Sequence, residues 1–211
     1  MAHVGVIVVA AGSGTRFGRP KQFESLGRRS VAGHSVRVAR ECGEFTVLVV
    51  PEGYDGDGDG ADVVVTGGAT RSDSVRAGLN ALPEQIETVV IHDAARPLAT
   101  LPLFRQVIAA LSDDVAGAIP AIAVTDTLKK VVDGVVTETV DRTSVVAVQT
   151  PQAFRRDALQ AAHEGQPSDT DDAAALERLG YRVVVVEGET TNLKITHPHD
   201  LTIVRAVLGV Q

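Results

Sequence analysis

The chain has 211 residues, a formal net charge of −7, 44% apolar residues, 3% aromatic residues and no Trp. That length suits one α/β domain over 1–211, and an apolar content dominated by Val, Ala and Leu favours a Val-rich parallel sheet under helices over an aromatic-cored β-sandwich. The acidic balance argues against nucleic acid as a partner, no apolar run approaches the roughly 20 residues that span a bilayer, and the lone Cys42 excludes an internal disulfide. A soluble cytoplasmic protein with no membrane partner is expected.

A first buried strand is predicted over 4–9, and it delivers the chain into Ala10-Ala11-Gly12-Ser13-Gly14-Thr15-Arg16-Phe17-Gly18-Arg19-Pro20-Lys21. Residues this small let main-chain N–H groups approach a polyphosphate, and concave runs of amides favour anions. Arg16 offers a fork for phosphate oxygens and Lys21 a compact point charge. The dinucleotide fingerprint fails because Phe17 stands where its third glycine belongs, and no Gly-Lys-Ser/Thr tripeptide exists for a P-loop. A plain strand-to-helix turn with incidental basic residues is the bland alternative.

Further strands are predicted over 45–50, 62–65, 88–91, 116–120, 145–149 and 182–186. Helices are predicted over 30–41, 71–82, 101–111, 155–163, 171–179 and 199–208. Alternating strands and helices imply a mostly parallel, Rossmann-like sheet covered on both faces, with ligands outside the carboxyl ends of strands. The loop Asp55-Gly56-Asp57-Gly58-Asp59-Gly60 mimics half of an EF-hand, but its twelfth position is Thr66 and its flanks read as strands, so a solvated loop is expected.

Gly67-Gly68-Ala69-Thr70-Arg71-Ser72-Asp73-Ser74 follows one strand, and there Arg71 and Ser74 offer polar groups to a base and ribose; helix capping by Thr70 or Ser72 competes with that reading. His92-Asp93-Ala94-Ala95-Arg96-Pro97 follows another. A carboxylate at that sheet edge facing a triphosphate calls for a bridging cation such as Mg²⁺, with Arg96 on a second phosphate; a helix cap at Asp93 is the alternative. The segment 126–143 breaks the alternation, because Asp133-Gly134 between β-branched runs marks a tight hairpin. Such an arm is marginal alone and needs a packing surface, in its own domain or in a second subunit. Thr150-Pro151-Gln152, Thr170-Asp171 and Asn192-Leu193-Lys194-Ile195-Thr196 complete the polar segments. His197-Pro198-His199 has no third ligand nearby and reads as a solvated helix start rather than a metal site.

Taken in order, these segments resemble the cytidylyltransferases of the non-mevalonate isoprenoid route, which couple CTP to methylerythritol phosphate, and the resemblance runs essentially end to end. It implies that Arg16 and Lys21 stabilise charge on the α-phosphate, and that Asp93 binds Mg²⁺. It implies a nucleotide pocket built from Ala10, Ala11, Gly12, Gly14, Gly67, Arg71, Ser74, Asp93 and Ala94. Arg142 and Lys194 would position the acceptor phosphate, with Asp93, Arg96, Thr127, Thr150 and Thr170 assisting. Relatives are homodimers whose arms cross between subunits, so Thr127 and Arg142 are expected to serve the neighbouring site. Thr190-Thr191 stand where some relatives carry an acidic residue, so no second metal ligand is expected from that loop. Ribitol phosphate cytidylyltransferases have closely similar loops and are the alternative within the superfamily. A nicotinamide-dependent oxidoreductase and a non-catalytic nucleotide sensor are the competing classes. The first lacks its glycine, and the second has no need of Lys21, Asp93, Arg142 and Lys194 together.

Overall fold

The computed structural model describes residues 3–164 and 171–210. Its strands are β1 (Val4–Val9), β2 (Ser25–Leu26), β3 (Arg29–Ser30), β4 (Phe45–Val50), β5 (Val63–Thr66), β6 (Thr88–Asp93), β7 (Gly117–Ala123), β8 (Leu128–Val132), β9 (Val135–Val140), β10 (Val146–Val148), β11 (Gln152–Arg155) and β12 (Val183–Glu187). The helices are α1 (Val31–Cys42), α2 (Arg71–Ala81), α3 (Leu101–Ala109), α4 (Arg156–His163), α5 (Asp172–Arg178) and α6 (Pro198–Leu208).

The main sheet has eight strands in the order β10-β7-β11-β6-β1-β4-β5, with β12 also paired to β7. Strands β6, β1, β4 and β5 run parallel, as does β12 with β7, whereas β11 is antiparallel to β6 and β7 and β10 to β7. The mostly parallel α/β expectation therefore holds, and the antiparallel strands lie on one side of β6. Strand β11 was not anticipated. It has four residues, too short for a periodic signal, yet Ala153 and Phe154 are fully buried.

Alternation along β1 shows why the sheet is covered twice. Ile7 belongs to one apolar cluster with Val49, Val75, Ile91, Phe154 and Leu159, while Val6 and Val8 belong to another with Ala32, Val36, Leu48 and Phe104. Successive strand side chains point to opposite faces, so a run apolar at every position needs helices on both. Each large aliphatic or aromatic side chain so buried contributes about 1.5–3 kcal/mol. A third cluster, with Phe17, Leu26, Val31, Leu98, Ile195, Leu201 and Val204, fastens the loop after β1 to α6 and to the segment before it.

The Asp133-Gly134 turn joins β8 to β9 as an antiparallel hairpin, with both residues at positive φ. Val131, Val132, Val135 and Val136 on it are more than half exposed. The acidic 55–60 loop lies between β4 and β5; there Asp59 accepts a hydrogen bond from Ser30 Oγ (2.8 Å).

His92 sits at 0% exposure in the middle of this frame. Its Nε2 donates to the Arg96 carbonyl (3.2 Å), which leaves Nδ1 to accept from the Thr150 hydroxyl (3.2 Å). Burial pushes the imidazole down from 6.5 to about 4. As pH falls below 6.5 the unfolded chain takes up a proton that the native state refuses, so stability present above 6.5 is lost progressively down to about pH 4. The loss approaches roughly 3 kcal/mol. Denaturant midpoints measured across that window should show this slope in the native protein and a shallower one in His92→Asn; equal slopes would contradict the assignment.

Candidate functional site

Three carboxyl-edge segments meet around one cavity of about 420 Å³: the loop after β1, the start of α2, and the end of β6. Ala10, Ala11, Gly12, Gly14, Arg16, Lys21, Arg71, Ser74, Asp93, Ala94 and Lys194 all stand on its wall. Gly67 lies just behind, where an added Cβ would come within 2.6 Å of both the Ala11 Cβ and the Ser74 Oγ. The predicted nucleotide residues are thus brought together by the fold.

Each segment is held by a local device. Gly14 has a φ of 67°, and a side chain there would meet the Arg19 carbonyl oxygen at 2.0 Å, so the loop closes only around glycine. Phe17, at 7% exposure, anchors the far side of the turn in the third apolar cluster. The residue that defeats the dinucleotide fingerprint is therefore the loop's hydrophobic anchor. The sequence assigns Gln22 no role of its own, yet its buried amide donates to the carbonyls of Ala10 (2.7 Å) and Gly12 (2.8 Å). Tying back these two carbonyls fixes the loop and anchors the neighbouring Lys21.

Thr70 caps α2 in a capping box with Asp73, so the bland reading of that block is correct for Thr70. It does not compete with function, because the same cap presents Arg71, Ser74 and the helix N-terminus to the cavity.

Asp93 is the charge centre of the site. Lys194 Nζ donates to its Oδ2 (2.6 Å), and Arg71 Nε lies 3.6 Å from its Oδ1. Its backbone N–H donates to Thr150 Oγ1 (3.0 Å), and no helix cap is formed there. Burial opposes ionisation, but Lys194, Arg71 and Arg96 outweigh it and hold the carboxyl well below the usual carboxylate range. Partial burial, followed by repulsion from Lys194 and Arg16, lowers the Lys21 ammonium from its ordinary value. A wall of like charges under mutual strain of this kind suits a polyanion.

Among the described residues no group of three or more His, Cys, Asp or Glu side chains could hold a metal ion. Asp93 offers a single carboxylate, a donor set that fits Mg²⁺ shared with substrate phosphates and does not fit an all-protein cage.

Other expected residues lie elsewhere. Arg96 is not on the cavity wall: its guanidinium donates to the carbonyls of Asn192 (2.8 Å) and Val148 (3.3 Å), so it braces the Lys194 segment rather than facing a phosphate. The Thr150 hydroxyl is buried and spent on Asp93 and His92. Thr127 and Arg142 are exposed at the base of the arm, with Arg142 bonded to the Thr125 carbonyl, and neither reaches this chain's own cavity. Thr170 lies outside the described residues.

A cradle of small residues and cations at the carboxyl edge of a Rossmann-like sheet has the makings of a nucleotidyltransferase site. A family model for IspD, 2-C-methyl-D-erythritol 4-phosphate cytidylyltransferase, matches residues 4–210, and the chain belongs to that family. It is 42% identical over 218 residues to the Aquifex aeolicus protein named 2-C-methyl-D-erythritol 4-phosphate cytidylyltransferase, covering 97% of each. It is 46% identical over 217 residues to the bifunctional enzyme IspD/IspF of Rhodospirillum rubrum, covering 95% of this chain and 56% of that protein. The chain thus spans little more than half the length of relatives of the bifunctional kind. The crystal structure of 2-C-methyl-D-erythritol 4-phosphate cytidylyltransferase from Thermus thermophilus superposes with a TM-score of 0.83 at 33% identity, over 97% of this chain and 98% of that one.

Gln22→Leu should strand the buried Ala10 carbonyl, at a cost of about 1–3 kcal/mol, and release the exposed Gly12 carbonyl to water. Denaturant unfolding should report that loss, and hydrogen exchange should be fastest to rise over residues 10–14. Unchanged exchange there would show that the loop does not depend on Gln22.

Proposed function

We propose that the chain, as one nucleotidyltransferase domain over 1–211, transfers CMP from CTP to 2-C-methyl-D-erythritol 4-phosphate. The products are cytidine diphosphate methylerythritol and pyrophosphate. The observation that carries this reading is the convergence of Arg16, Lys21, Arg71 and Lys194 around the single carboxylate of Asp93 in one cavity. Family membership supports it independently.

An oxygen of the acceptor's phosphate monoester attacks the α-phosphorus of CTP. The new P–O bond forms as the bond to the bridging oxygen breaks, and pyrophosphate leaves with that electron pair. The nucleophile is already anionic at neutral pH, so no protein base is required. The work left to the protein is positioning and charge stabilisation. Ala10, Ala11, Gly67 and Ser74 border the base pocket, and the amides around Gly12 and Gly14 line the triphosphate. Arg16 and Lys21 face the α-phosphate, and Lys194 holds the acceptor phosphate. Mg²⁺ on Asp93 would neutralise phosphate charge.

Arg142 and Thr127 stand on the arm, away from their own cavity, and the arm's exposed valines need cover. Both facts support a homodimer in which each arm serves the neighbouring site. None of the helices among the described residues is long and apolar enough to cross a membrane, which is compatible with a cytoplasmic setting.

Removing one preorganised donor typically costs about 10²–10³ in turnover. Lys21→Ala and Arg16→Ala are each expected to lose that much kcat with a smaller change in CTP binding, read by pyrophosphate release. Near-native turnover in both would refute their roles. Offered methylerythritol phosphate and ribitol phosphate side by side, the protein should prefer the first; preference for ribitol phosphate would overturn the acceptor assignment. Sedimentation should give twice the chain mass, and Arg142→Ala mixed with Lys21→Ala protein should regain activity if the arms cross.

A further inference from the structure

From Arg71 on the cavity wall a buried ionic chain runs back to Asp172 and His163, two residues outside every motif above. Arg71 Nη1 donates to Asp172 Oδ2 (2.6 Å), and His163 Nε2 donates to Asp172 Oδ1 (3.0 Å). The side chain of Asp172 is 1% exposed and that of His163 is 4% exposed. A carboxylate is acceptor-only, so His163 must present its Nε2–H, and its buried Nδ1 has no partner among the described residues.

Both oxygens of Asp172 are thereby committed, and the arginine they hold is shared between two carboxylates on opposite sides. Arg71 makes a close, direct bond to Asp172 but stops 3.6 Å short of Asp93 Oδ1. Lys194 meanwhile occupies Oδ2 of Asp93. The consequence is that Asp93 keeps one oxygen without a close direct bond from either cation. Without the pull of Asp172, Coulomb attraction would draw the guanidinium onto Asp93 and close that oxygen as well. The chain also ties the first turn of α2, on the cavity wall, to the first turn of α5, which immediately follows Asp171. Asp171 caps α5 through Ala174 N (2.8 Å), so Asp172 is free of capping duty.

We propose that Asp172, oriented by His163, is a positioning residue that holds Arg71 at the cavity rim and keeps Asp93 open to the nucleotide and its cation. The proposal deepens the cytidylyl-transfer reading and rests on it in taking CTP as the ligand.

The test is a double-mutant cycle with Asp172→Asn, which preserves shape, and Arg71→Ala. Acting through Arg71, Asp172→Asn should lower kcat/KM for CTP by about tenfold, the lower end of what loss of an orienting partner costs. It should raise the Mg²⁺ concentration needed for half-maximal rate, and it should have no further effect in the Arg71→Ala background. Asp172→Glu should recover part of the loss, and His163→Leu should show a weaker version of it. Equal losses in both backgrounds, or none when Arg71 is present, would overturn the proposal. A merely structural role would move the melting temperature in both backgrounds and leave the Mg²⁺ requirement of the folded protein unchanged. The same cycle in CTP affinity, read calorimetrically without any acceptor, separates the two readings. A native protein that binds CTP yet uses neither acceptor refutes the function while the cycle still decides the role of Asp172.

Discussion

One carboxylate in the company of several cations is the constraint around which this cavity is arranged. Lysines and arginines drawn from residues 16, 21, 71 and 194 repel one another, and among the described residues only Asp93 stands with them as a counter-charge on the wall. Its position is over-determined: β6 pairs on both sides, the Thr150 hydroxyl accepts from its backbone N–H, and buried His92 accepts a hydrogen bond from that hydroxyl. A charge that costs so much to bury must be fixed from behind, because any drift would leave the cations unbalanced. The excess positive charge that remains is the feature a triphosphate and a second phosphate would neutralise.

The support for this centre is mostly backbone chemistry rather than ion pairing. Gln22 ties down two loop carbonyls, Asn192 donates to the Thr150 carbonyl (2.9 Å), and Arg96 spans two carbonyls. Each of these side chains satisfies main-chain oxygens that irregular segments leave without partners. Loops are free to vary in course, and here polar side chains replace the missing ladder bonds so that the loops keep fixed shapes. Arg96 illustrates the trade: a cation at the sheet edge has been committed to bracing the segment that carries Lys194, the cation that does face the cavity.

The sequence disclosed what depends on local pattern. The apolar run of β1, the small residues of 10–14, the Asp133-Gly134 turn and the capping potential of Thr70 all act within a few positions, and all were legible. What it concealed depends on tertiary proximity. Arg71 and Asp172 are 101 residues apart, and nothing local marks Asp172 as the partner of a cavity arginine. Gln22 follows a conspicuous lysine, but only the folded loop reveals two carbonyls waiting for its amide. Arg96 and Thr150 were read as facing substrate because residue type reports what a side chain can bind, not which way it turns. Strand β11 escaped for a different reason: four residues beside a proline carry no period, and its place is fixed by β6 and β7 on either side.

The arm follows from the same physics as the cavity. Leaving Val131, Val132, Val135 and Val136 exposed in water forgoes apolar burial worth about 25 cal/mol per Å², and a two-stranded ribbon has little else to hold its shape. Arg142 at its base donates to the Thr125 carbonyl, just before the arm, and lies off the cavity wall of its own chain. In the homodimer proposed above, a second copy would answer both deficits with a single contact, covering the valines and carrying Arg142 toward a cavity that has Lys194 on its wall. Under that proposal the acceptor's phosphate would be gripped from two chains at once. Association would then be a condition of catalysis and not merely of stability, because a monomer would keep its nucleotide cradle intact while lacking half of the proposed grip on the nucleophile.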